Sequence, residues 1–120
     1  MAPPADRDAL RCDAWLVLDG RVLASAQLAT GRAERRRGLL GRDHVDGVLV
    51  LSCRWVHTVG MRMPIDVAHC DADGTVLAVT TMAPGRVGRP WPRARQVVEA
   101  PPGAFATWGV QPGMRLELRG

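Results

Sequence analysis

Ile65-Asp66-Val67-Ala68-His69-Cys70-Asp71-Ala72-Asp73-Gly74-Thr75-Val76 is the stretch on which the fold is decided. A six-residue, mostly apolar run meets Asp-Ala-Asp-Gly and returns from Thr75 to Thr81. Asp accepts hydrogen bonds from its own backbone two residues on, and Gly74 supplies positive φ, so the four residues predict a hairpin turn. They share part of a calcium-loop pattern but lack its third acidic position and its terminal Glu. The same grammar recurs on both sides. Trp15-Leu16-Val17-Leu18 runs into Asp19-Gly20, a two-residue hairpin signal, and Arg21 to Ala29 returns. Val48 to Leu51, Gln96 to Glu99 and Met114 to Leu118 are further short runs, the last two separated by a turn at Pro101-Pro102-Gly103. Trp55, His57 and Val59 share one face of another such run, by the period two of a strand.

Two segments break this pattern. Thr30 to Gly41 predicts a short helix, with Gly31 as N-cap and Glu34 in the first turn, where a carboxylate suits the free N–H groups. Residues 83–94 contain Pro84, Gly85, Gly88, Pro90 and Pro92, which predict a long exposed loop without regular structure. The expectation is a mainly β (α+β) chain: a small antiparallel β-barrel or sandwich with one short helix. Residues 1–12 read as a disordered tail and 13–120 as a single domain.

The chain has 120 residues, and its hydrophobic content of 47% suits a folded domain. No apolar run approaches the roughly 20 residues that cross a bilayer, and the first residues do not resemble a signal peptide. The expected location is cytoplasmic, with no membrane partner. All 16 basic residues are Arg, Lys, Asn and Tyr are absent, and the net charge is +4. That bias is the mark of a G+C-rich genome, and it argues against reading the charge as nucleic-acid binding. Cys12, Cys53 and Cys70 form no C-x-x-C pair, which predicts reduced thiols, with Cys53 and Cys70 packed as small core residues.

Four blocks together resemble the family known as domain of unknown function 192. They are Ala33-Glu34-Arg35-Arg36-Arg37-Gly38-Leu39-Leu40-Gly41-Arg42, the central stretch His57 to Val67, the turn Asp71 to Val76, and Val98 to Gly103 with Gln111 to Met114. Leu40 stands where relatives carry Met, a swap that keeps volume. Met114 stands where they carry Asp. The resemblance spans about residues 21–118 and implies a small β-rich fold with no defined activity.

Chemistry concentrates in the central block. His57, Arg62 and Asp66 bracket a break at Met63-Pro64, and the resemblance adds Glu34, Arg42 and Glu99 as charged members of its blocks. These six are the candidate ligand-binding residues, either converging on a small polar or anionic ligand or pairing to fix the fold. The leading expectation is a non-catalytic ligand-binding or accessory domain. One alternative is a hydrolase-like enzyme with His57 as general base. Within it, Cys53 or Ser52 would be the nucleophile. Another is an interaction module that binds nucleic acid or a protein through the Arg-rich 83–95 loop, with Trp91 stacking. Cys53, His57, Met61 and Met63 are soft-metal types that would share one side of a strand. They would equally fill a core, and neither metal nor cofactor is expected. Trp108 reads as a core anchor.

Overall fold

The computed structural model describes residues 13–29 and 47–120. The tail 1–12 and the helix expected across 30–41, with Glu34 and Arg42, lie outside them. Among the described residues seven strands form one sheet: β1 (Ala14–Leu18), β2 (Arg21–Ala29), β3 (Val48–Leu51), β4 (Ile65–Cys70), β5 (Val76–Met82), β6 (Gln96–Ala100) and β7 (Leu116–Arg119). A short helix, α1 (Ala104–Trp108), lies between β6 and β7. The strand order is β5-β4-β6-β3-β2-β1-β7, and β2 and β3 are the only parallel neighbours among the described residues.

The predicted turns form as their residues dictate. Asp19 (φ 52) and Gly20 (φ 78) both take positive φ, as a type I′ hairpin turn requires. At the β4–β5 turn, Asp71 Oδ1 accepts the backbone N–H groups of Asp73 and Thr75 at 2.9 and 3.0 Å. Gly74 (φ 87) carries a second constraint. The Leu116 carbonyl packs where its Cβ would be, and Leu116 N–H donates to the Gly74 carbonyl at 2.9 Å. With Val76 N–H on the Met114 carbonyl at 2.7 Å, this contact joins the start of β5 to the approach to β7. The sheet therefore curls until its two edge strands meet at one end, giving a half-barrel.

β3, β4 and β6 are buried on both faces, which is why Val48 to Leu51 is continuously apolar. The inner face carries Leu16, Leu18, Val50, Ala68, Cys70, Val98 and Leu116, closed by Phe105 of α1. The outer face carries Leu49, Leu51, Ile65, Val67 and Val97, covered by Val56, Met61 and Met63. Those last three come from residues 52–64, which form only an isolated bridge, His57 to Val87, with the 83–95 loop. The two segments run together as a strap. Thr58 N–H donates to the Arg86 carbonyl and Gly88 N–H to the Val56 carbonyl, both at 2.8 Å. The 83–94 loop is irregular, as expected. It is also pinned along its length, which composition alone did not suggest.

Candidate functional site

Asp66 sits on β4 and is buried, on the inner face. Its Oδ1 accepts the Thr81 hydroxyl at 2.7 Å, and its Oδ2 accepts the Phe105 backbone N–H at 3.3 Å. Phe105 lies in the first turn of α1, whose N-cap Gly103 offers no side chain. Asp66 therefore supplies from the sheet the cap that the helix lacks, and its charge suits the helix N-terminus.

Glu99 lies on β6, opposite Val67 and Leu49, and is fully enclosed (0% exposed). Because Asp66 pairs with Ala100 and Val67 with Glu99, register places the two carboxylates on opposite faces of the sheet. They do not share a cleft. Sequence order gave no warning of this separation, since both belong to strands that are buried on each side.

His57 and Arg62 belong to the strap. Along it, Val56 and Thr58 are buried, whereas Trp55 and Val59 are exposed and His57 is half-buried, so the period-two face faces out. The Trp55 and His57 rings stand 6.1 Å apart at 45°. His57 Nδ1 accepts the Val59 backbone N–H at 3.3 Å, which leaves the proton of the neutral ring on Nε2. Arg62 is exposed. The expected common side for Cys53, His57, Met61 and Met63 is not formed. Met61 N–H closes a turn on the Thr58 carbonyl at 3.1 Å, where Gly60 has φ 87, and this turn sends both methionines into the outer core. Among the described residues no cluster of His, Cys, Asp or Glu is arranged to hold a metal.

Thr58 is the residue that sequence reading missed in the strap. It is wholly buried, donates its hydroxyl to the Ala83 carbonyl at 2.6 Å and accepts the Arg86 N–H at 2.9 Å. His69 is the second. It is 3% exposed, and among the described residues neither ring nitrogen has a hydrogen-bond partner. It packs at 5.9 Å from the Trp91 ring, and burial pushes its pKa below the ordinary histidine value. Trp91 also carries the Arg89 guanidinium at 4.9 Å from its ring centre. That side chain is thus engaged within the loop rather than presented to a base. Burial, with the Asp71 charge beside it, pushes the Cys70 thiol up to about 12, so it stays protonated and inert. Trp108 packs edge-on against Phe105 at 5.9 Å, as a core anchor would.

The fold is that of a small curled-sheet domain, and comparison with known proteins agrees. Residues 15–118 match the domain of unknown function 192 family, described as an uncharacterized ACR, and the chain belongs to that family. No curated protein matches it. A solved structure from Sinorhizobium meliloti, described as a "putative transcription regulator", is similar with a TM-score of 0.72 and 24% identity. The match covers 88% of this chain and 91% of that one. A protein of unknown function from Novosphingobium aromaticivorans is similar with a TM-score of 0.73 and 20% identity, covering 86% and 83%. At these identities the likeness is one of fold. Among the described residues no helix is long and apolar enough to cross a membrane.

Proposed function

We propose that this chain is a non-catalytic binding domain whose working face is the outside of the strap, with His57 and Arg62 as its polar groups. The carrying observation is the division of the polar residues. Asp66 and Glu99 are enclosed in the fold, while His57 and Arg62 reach the surface together with Trp55 and Val59. A half-buried imidazole and an exposed guanidinium on one strap suit a small anionic or polar ligand, because both are hydrogen-bond donors and neither has to give up a proton. General-base catalysis fits less well, since a base must present an open nitrogen lone pair and the Nδ1 lone pair is turned to the Val59 N–H.

The test is thermal unfolding in the presence of phosphate, sulfate, benzoate and other small carboxylates, with His57→Ala run in parallel. A ligand held only by the folded state raises its stability. Stabilisation by an anion that is lost in His57→Ala supports the reading, and stabilisation that is unchanged in His57→Ala contradicts it.

A further inference from the structure

The charges of the strap are one-sided. Residues 52–64 and 83–95 contain Arg54, Arg62, Arg86, Arg89, Arg93 and Arg95 and not one carboxylate. All six arginines are exposed. The remainder of the chain holds 10 arginines against 12 carboxylates and is net acidic, so the strap carries more than the whole positive excess of the molecule. Genomic bias explains why the basic residues are arginines. It does not explain why the acidic ones avoid these two segments.

The same face exposes aliphatic side chains at its tips. Val59 (55% exposed) sits in the turn closed by Met61 N–H on the Thr58 carbonyl, and Val87 (71% exposed) follows the turn at Gly85. Gly85 N–H donates to the Thr58 carbonyl at 2.8 Å, which holds the two turns side by side. Trp55 is exposed on the same segment. Valine at a tight turn does nothing for a phosphate backbone, and the aromatic ring of the Arg-rich loop, Trp91, is occupied by His69 and Arg89. Exposed aliphatic tips on a strap whose only charged groups are arginines instead match the boundary between anionic headgroups and acyl chains.

We propose that the outer face of the strap docks on an anionic lipid surface, with Val59 and Val87 entering the acyl boundary and the arginines meeting the headgroups. The proposal rests on the reading of the strap as the working face and names a partner for it. It departs from the expectation of no membrane partner, which stood on the lack of a spanning run; attachment to a surface needs none. Near an anionic leaflet each basic residue contributes about fivefold in affinity, so six of them with two shallow apolar anchors give reversible binding.

The experiment is flotation of the full chain with vesicles of mixed phosphatidylserine and phosphatidylcholine, and with vesicles of phosphatidylcholine alone. Binding is expected only to the mixed vesicles. Arg86→Gln with Arg89→Gln is expected to weaken it by about 25-fold, and Val59→Ser with Val87→Ser by about tenfold. Val22→Ser, an equally exposed apolar residue on the β1–β2 hairpin, is expected to leave it unchanged. No flotation with the mixed vesicles overturns the proposal. So does binding to phosphatidylserine vesicles and to a single-stranded oligonucleotide alike with the valine pair without effect, which would mark a general polyanion surface. If small anions still stabilise the protein through His57 while vesicles are ignored, only the lipid partner falls. A flat anion panel with vesicle binding would instead retire the small-ligand reading and keep the lipid one.

Discussion

The inner and outer faces of the sheet are closed by two unlike covers. Inside, α1 seats Phe105 at 0% exposure and is capped by Asp66 from the sheet. Outside, the strap has almost no regular structure and is held by one buried hydroxyl, that of Thr58, and a few backbone pairs. Both covers bury apolar side chains. They differ in what they leave exposed: the helix presents little chemistry, whereas the strap presents His57, Trp55 and an unbroken set of arginines. An irregular segment that is nevertheless pinned can present functional groups while the sheet behind it supplies rigidity.

Damage to the inner cover should be global and the most severe. Phe105→Ala is expected to cost about 3–5 kcal/mol, because it opens a cavity beneath α1, and chemical denaturation would read it. Asp66→Ala should cost about 1–3 kcal/mol by leaving the buried Phe105 N–H of the helix without its acceptor. A neutral result for Asp66→Ala would return that carboxylate to the list of ligand-binding groups. Thr58→Val keeps the shape and removes the hydroxyl, at a cost of about 1–2 kcal/mol. Its signature should be local: faster amide exchange at Gly85, Arg86 and Gly88, with the amides of α1 unaffected. Equal acceleration in both covers would show that they are one cooperative unit.

A smaller effect distinguishes the covers by pH. His69 lies beneath Trp91 of the strap, and its folded pKa is lowered by burial. Above the unfolded histidine value of about 6.5 the ring is neutral in both states, and stability does not depend on it. Below that pH the unfolded chain takes up the proton and the folded one resists, so stability falls as pH drops until the folded pKa is reached. The limiting slope is about 1.4 kcal/mol per pH unit for one proton. Comparing unfolding of the wild type with His69→Leu between about pH 7 and pH 5, which brackets the unfolded histidine value, isolates this group, and a wild-type slope equal to that of the variant would exclude it.

Most of the sheet was legible because its signals are local. Asp19-Gly20 and Asp71 to Gly74 announce turns by their own backbone preferences, and six of the apolar runs became β1 to β6 within a residue or two, whereas the period-two run at Trp55, His57 and Val59 became irregular strap with one isolated bridge. The resemblance carried by the four blocks identified the family for the same reason, since motifs are contiguous. Helix α1 was missed: five residues between Pro101-Pro102-Gly103 and Gly109 are too few to show a period, and its carboxylate cap stands 39 positions earlier in the chain. The separation of Asp66 from Glu99 was invisible too. Which face a residue takes in a strand buried on both sides depends on register, and register is a property of pairs. Thr58 and His69 looked like ordinary residues of apolar runs because their roles come from partners some 25 residues away on the strap, Ala83 and Arg86 for one and Trp91 for the other.

The central claim is that the strap, and not the carboxylate-bearing strands, is where this protein meets its ligand. Backbone amide shifts in a two-dimensional NMR titration with phosphate and then benzoate would test it most directly. The account predicts saturable shifts confined to Trp55 to Arg62 and Gly85 to Arg89, with Asp66, Glu99 and Phe105 unmoved. Shifts centred on Asp66, Thr81 and the start of α1 would contradict it and make the inner cover the site.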